Sequence, residues 1–214
     1  MNVGILGSGE VAKTLGAGFL KHRHSVMLGT RDTNKLAEWQ QTNPGAKVGS
    51  FAEAATFGEA LVLAVKGAAA LDVLRLAGSG IAGKVVMDTT NPIAPAPPVN
   101  GVLQYFTTIN ESLMERLQKA HPNVRFVKAF SSVGNARMVN PTYAAGRPTM
   151  FICGDDAAAK QIVTGILDQF GWETLDLGGA LAARAIEPLC ILWCIPGFLH
   201  NEWTHAFKLL TEVS

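Results

Sequence analysis

An apolar run, Asn2-Val3-Gly4-Ile5-Leu6, meets Gly7-Ser8-Gly9-Glu10-Val11-Ala12 at the start of the chain. A strand that ends in Gly-x-Gly-x-x-Ala and passes at once into a helical pattern is the opening of a βαβ dinucleotide-binding unit. Gly7 permits a tight turn, Gly9 lets a pyrophosphate come against bare backbone, and Ala12 keeps helix and strand close. The helix start offers unpaired amides and the positive end of a dipole, which favours a diphosphate. Gly7, Ser8, Gly9, Glu10 and Val11 are therefore expected to form its cradle. Val11, Leu15 and Phe19 follow at four-residue spacing and give the helix one apolar face for the sheet. A second strand over residues 24–28 stands where the unit requires it.

The end of that second strand decides which nicotinamide cofactor fits. A carboxylate for the adenosine ribose hydroxyls is usual there, about 20 residues past the glycines. Here the place is taken by Gly29 and Thr30, and Arg31 follows. A guanidinium can grip a 2′-phosphate with two parallel donors, so the expected cofactor is NADP(H). Asp32 reads as the N-cap of the next helix. Lys35 either adds charge to the phosphate site or is simply solvated.

Further strands are expected over residues 46–50, 60–65, 84–88 and 125–130, with helices over residues 51–56, 68–76 and 112–120 between them. The apolar stretch 60–65, bounded by Gly58 and Gly67, has the character of a strand covered on both faces. Ligands in such sheets lie beyond the carboxyl ends of the strands. Val65 and Lys66 are thereby placed toward the ribose or nicotinamide. Asn91 before Pro92 offers a donor and an acceptor at the rim of the cleft, or is a turn residue fixed by the proline. The small residues Ser131, Ser132, Val133, Gly134 and Asn135 stand at another strand end, facing the same cleft. The second half reads as a strand at 149–154, a helix capped by Asp155-Asp156 and running to Phe170, and a strand at 172–177. Two closing helices are expected over residues 181–193 and 198–210, parted by Ile195-Pro196-Gly197.

The expected fold class is α/β: a Rossmann-type, doubly wound, mostly parallel sheet over residues 1–130. A smaller C-terminal α/β lobe, residues 131–214, would cover the cleft, hold the second ligand and make dimer contacts. With 214 residues, 48% hydrophobic and 16% charged, the chain can bury a sizeable core, and a net charge of +1 gives no reason to expect nucleic acid as a partner. The apolar run 189–199 is broken by Pro196-Gly197 and too short to cross a bilayer, so no membrane segment is expected. The cradle at the extreme N-terminus leaves no cleavable signal, and Cys153, Cys190 and Cys194 suit a reducing compartment; a cytoplasmic location is expected. Cys190 and Cys194 share a helix face among apolar neighbours, which favours buried small hydrophobes over a redox pair or half of a metal site. The apolar residues around Trp193, Phe198 and Trp203 exceed what a small lobe needs, so a homodimer is expected.

The glycine motif together with Leu28-Gly29-Thr30-Arg31-Asp32, Thr90-Asn91-Pro92, Lys128-Ala129-Phe130, Cys153-Gly154-Asp155-Asp156 and Ile186-Glu187-Pro188-Leu189 resembles the NADPH:coenzyme F420 oxidoreductase family. It is similar also to the cytoplasmic oxidoreductase part of the transmembrane ferric reductases, which pass hydride from NADPH to a flavin. The resemblance implies an NADP(H)-dependent oxidoreductase with coenzyme F420, or FMN or FAD, as second substrate. On that reading Pro188, Leu192 and Trp193, with the 131–135 turn, line the acceptor pocket. Hydride transfer between two cofactors asks for alignment and exclusion of water, so no catalytic side chain and no metal is required. None of the five histidines lies at a strand's carboxyl end. Two other readings stay open: a reductase of a small hydroxyacid or imine, for which an acid–base lysine on a long late helix is missing apart from Lys208, and a non-catalytic NADP sensor.

Overall fold

The structure, a computed structural model, describes residues 1–212. The first part alternates strand and helix: β1 (Asn2–Leu6), α1 (Glu10–Lys21), β2 (Ser25–Gly29), α2 (Ala37–Thr42), β3 (Ala46–Gly49), α3 (Phe51–Phe57), β4 (Ala60–Leu63), α4 (Ala70–Ala77), β5 (Val85–Asp88), α5 (Leu113–Ala120) and β6 (Arg125–Lys128). The six strands make one sheet in the order β3-β2-β1-β4-β5-β6, with every neighbouring pair parallel. The order reverses between β1 and β4, and the crevice outside their carboxyl ends is where such a sheet binds ligands. Both faces are covered. Val3, Ile5, Leu15, Phe19 and Val62 belong to one core, and Leu6, Leu61, Leu63, Leu74 and Phe126 to the other. Strands buried on both sides must be apolar throughout, which is why 60–63 shows no alternation.

The second part adds β7 (Thr149–Ile152), α6 (Ala157–Gln169) and β8 (Glu173–Asp176), then α7 (Ala183–Ile186) and α8 (Leu189–His200). β7 and β8 pair in parallel as a small second sheet, linked to the first through the Lys128–Cys153 bridge. α6 is capped by Asp156, whose side chain accepts from the Ala159 amide, and packs Val163 and Ile166 into the same core as α1.

The closing segment differs from its sequence reading. Pro196 lies inside α8 rather than between two helices, and residues 198–210 do not form a helix: α8 ends at His200, and the chain beyond runs without regular structure. A proline inside a helix removes one N–H bond and crowds the carbonyl four residues earlier. That carbonyl belongs to Leu192, an exposed residue of α8. The helix stops at Asn201, which takes a left-handed conformation at φ 57° and donates its amide to Gly197 O. Gly197 then decides the path of the tail: the Trp203 ring lies so close that any Cβ would collide with it. The tail folds back on α8. Phe207 O accepts from the Thr149 amide, and Trp193 Nε1 donates to His205 O at 2.9 Å. His205 is thus part of this returning irregular tail, not of a helix.

The helical run Ala180–His200 also exceeds the apolar stretch expected from sequence. At 21 residues and mean hydropathy 1.4 it is long and apolar enough to cross a membrane by length and composition. It is segmented at Glu187-Pro188 and buries Ala183, Ile186, Cys190 and Trp193 against the rest of the chain.

Candidate dinucleotide-binding site

A cleft of about 450 Å3 lies at the carboxyl ends of β1, β2 and β4. It is lined by Gly7, Ser8, Gly9, Glu10 and Val11, by Thr30, Arg31 and Lys35, and by Val65 and Lys66, with Thr89 at the far end. Ten of the twelve cofactor residues read from sequence therefore share one cavity. The local reasons are visible. Gly7 donates its amide to Gly29 O at 3.0 Å, and a Cβ on it would strike the Ala64 carbonyl, so β1, β2 and β4 can converge only with glycine there. Gly9 is the N-cap of α1, yet no side chain caps that helix. A Cβ built on Gly9 meets nothing within 4 Å. The helix end therefore presents free amides to open space, as an anion cradle requires.

At the exit of β2, Thr30 is buried; its Oγ1 accepts from the Asp32 amide and lies 3.2 Å from Ser8 Oγ. It fixes the turn while adding no negative charge. Asp32 accepts from the Asn34 amide at 3.1 Å and so caps the 3-10 turn over Thr33–Leu36. Arg31 and Lys35 are exposed, and no salt bridge engages either of them among the described residues. Two unengaged cations beside a cradle for phosphates fit a ligand carrying an additional phosphate.

Asn91 and Pro92 do not line this cavity; Thr89 takes that place. Asn91 Nδ2 donates to Ser131 O at 2.7 Å, tying the exits of β5 and β6 together, and its Oδ1 is buried without a partner. The turn after β6 opens on Phe130, a large residue in the left-handed region at φ 59°, an arrangement uncommon away from functional turns. Ser131, Ser132 and Val133 are buried, while Gly134 and Asn135 are partly open. Trp193 meets this turn, since a Cβ on Gly134 would come within 2.7 Å of its ring. Trp193 itself is buried, stacked on His205 with ring centroids 5.0 Å apart. Leu192 is exposed on the other side of α8, and Pro188 belongs to a separate cavity of about 210 Å3 with Tyr105 and Arg184.

A buried ionic cluster escaped the sequence reading. Lys128, fully buried, lies 2.7 Å from Asp88 Oδ2 and 2.9 Å from Glu187 Oε1, and it donates to Thr90 O at 2.8 Å. Burial opposes its charge, but the two carboxylates prevail and raise its pKa. Asp88 accepts from the Thr90 amide and hydroxyl, and Glu187 from the Leu113 and Met114 amides that begin α5. The cluster fixes the Thr90-Asn91 turn and fastens the α7–α8 segment to the sheet. Its partners lie far apart in sequence, and only a lysine at the inner end of a buried strand signals it. Burial pushes the Cys153 thiol up to about 12, so it offers no thiolate.

Sheet order, uncapped α1 and the cleft together define a Rossmann-type dinucleotide-binding protein. Residues 2–92, less than half of the chain, match the family described as NADP oxidoreductase, coenzyme F420-dependent, in agreement with the resemblance read from the motifs. The metalloreductase STEAP3 of Rattus norvegicus is 30% identical over a 201-residue alignment that covers 92% of this chain. The chain spans 38% of that relative's length. A crystal structure of a proposed F420-dependent NADP reductase from Arthrobacter sp. FB24 superposes with a TM-score of 0.91 at 29% identity, over 98% of this chain and 99% of the other. An imine reductase of Streptomyces aurantiacus shares the fold, with a TM-score of 0.67 at 17% identity over 93% of this chain and 63% of its own.

Proposed function

We propose that the protein transfers hydride between NADPH and a deazaflavin or flavin. The observation that carries the reading is the exit of β2, where neutral Thr30 replaces the usual carboxylate and Arg31 and Lys35 face the cleft. NADPH supplies the hydride. The chain's part is to bind and orient: the Gly7–Gly9 cradle takes the pyrophosphate, Arg31 and Lys35 the 2′-phosphate, and Val65, Lys66 and Thr89 border the nicotinamide end. The acceptor ring would lie beyond that end, against the Ser131–Asn135 turn, which Trp193 backs from behind. No acid or base is asked of the side chains, in keeping with alignment as the main source of rate. The likeness to a proposed F420-dependent reductase over nearly the whole chain supports this acceptor class, whereas the imine reductase extends well beyond it. Three free thiols accord with a reducing, cytoplasmic setting.

The test is NADPH absorbance with purified protein, offering coenzyme F420, FMN, FAD and riboflavin in turn, with NADH as control. Rapid oxidation of NADPH with one of them is expected. Tight NADPH binding with no oxidation by any would transfer the reading to a sensor or to a small-molecule substrate.

A further inference from the structure

Behind the 131–135 turn stands the ring of Trp193, and the tail of the chain grips it. The indole N–H donates to His205 O at 2.9 Å. His205 Nε2 lies 2.9 Å from Trp193 O, and since a carbonyl only accepts, this nitrogen carries the proton and donates. The two rings stack with centroids 5.0 Å apart and 30° between their planes, while Trp203 meets Trp193 from another direction at 5.7 Å. His205 thus engages the ring N–H, the ring face and the main chain of Trp193 at once. The tail is fastened on both sides of it. Trp203 lies over Gly197, Phe207 O accepts from the Thr149 amide, and Leu209 donates its amide to Thr149 Oγ1 at 3.1 Å.

The middle of the turn has little else to hold it. Asn91 ties Ser131 O, and the Arg137 amide closes on Gly134 O, but Ser132 and Val133 make no hydrogen bond among the described residues. A Cβ on Gly134 would come within 2.7 Å of the Trp193 ring, so ring and turn are in contact. In a close-packed interior a ring fixed from its far side sets where the backbone before it can stand.

We propose, resting on the reading of this turn as the acceptor wall, that His205 is a positioning residue for the hydride acceptor: by clamping Trp193 it fixes the turn against which the acceptor ring lies. His205 touches no reacting atom, because the Trp193 ring stands between it and the turn. The Gly7–Gly9 cradle lies on other elements, so the cofactor is held as before when the clamp is lost. Acceptor binding should weaken roughly tenfold, the equivalent of ordering about one further backbone residue when the acceptor arrives. Glutamine in place of the histidine keeps a planar group with an N–H donor for Trp193 O and should recover much of the loss.

Amide hydrogen exchange of the whole chain, native and His205→Ala, tests the clamp without any acceptor. Peptides across residues 131–135 should exchange faster in the variant while those across residues 2–12 keep their native rate, and His205→Gln should return the turn toward that of the native chain. NADPH oxidation with the flavin or deazaflavin that the native protein reduces supplies the second arm. In His205→Ala the KM for the acceptor should rise roughly tenfold, with kcat and the KM for NADPH within about twofold of native. Unchanged exchange at the turn, or equal acceleration along the whole chain, would overturn the clamp. Faster exchange at the turn with an unaltered acceptor KM would overturn its positioning role. A loosened turn in the variant, with no oxidation of NADPH by any flavin or deazaflavin in the native chain, would remove the hydride-transfer reading and the role together and leave a purely structural contact.

Discussion

Replacing Lys128 by methionine tests whether the buried ionic cluster holds the two parts of the chain together. The side chain is fully buried, and its ammonium is the only cation in contact with Asp88 and Glu187 among the described residues. Removing one partner of such a pair costs about 3–5 kcal/mol, because the remaining charge stays buried and unpaired. Both carboxylates keep other donors here, the Thr90 amide and hydroxyl for one and the Leu113 and Met114 amides for the other. The lower end, about 3 kcal/mol, is therefore expected. For a chain of this size that corresponds to a fall in Tm of roughly 6–12 °C. Urea and thermal unfolding would measure it, and Lys128→Met/Glu187→Gln should recover part of the loss by removing the charge left stranded. Since Lys128 also holds Thr90 O, NADPH affinity should fall in the single variant as the Thr90-Asn91 turn loosens. A loss under about 1 kcal/mol, the range of an ordinary surface change, would mean that the cluster does not hold the two parts together.

Gly9→Val should leave the circular dichroism spectrum unchanged, because a Cβ there meets no atom, yet abolish NADPH binding by filling the pyrophosphate space; retained affinity in a titration would misplace the cradle. The Arg184 guanidinium holds the Glu115 carboxyl down at about 2 from 4.5 through a two-pronged contact at 2.7 and 2.9 Å. A depressed carboxylate stabilises the folded state above its unfolded pKa and ceases to do so as pH falls through the folded one. Arg184→Leu should thus destabilise the fold at neutral pH, with the difference fading as the pH falls from 4.5 toward 2. A gap independent of pH in denaturant titrations would mean the pair does not act through charge.

The first half of the fold was legible because its signals are local. Glycine spacing fixes the β1–α1 turn, and unbroken apolar runs mark strands covered on both faces, so sheet class and cleft follow from short windows of sequence. The closing segment was not legible. Pro196 reads as a helix end by local rules, but the helix continues through it because tertiary packing holds α8 on both sides of the proline, through buried Cys190 and Trp193 before it and through Gly197 against the Trp203 ring after it. What ends the helix is Asn201, and what turns the tail back is the space over Gly197 for the Trp203 ring, a contact between residues that propensity treats separately. The Lys128 cluster is hidden for a related reason: its carboxylates come from β5 and from the start of the final helical segment, and only the folded sheet brings them together. Asn91, read as a cleft residue, instead spends its amide on Ser131 O, an outcome decided by the neighbouring strand exit.

Selection of a 2′-phosphate by the exit of β2 is measured by calorimetric titration of NADPH and NADH into the native chain and into Arg31→Ala. NADPH should bind more tightly than NADH by at least about tenfold, and the variant should lose ~1–3 kcal/mol for NADPH alone. Equal affinities for the two cofactors, or equal loss of both in Arg31→Ala, would contradict it.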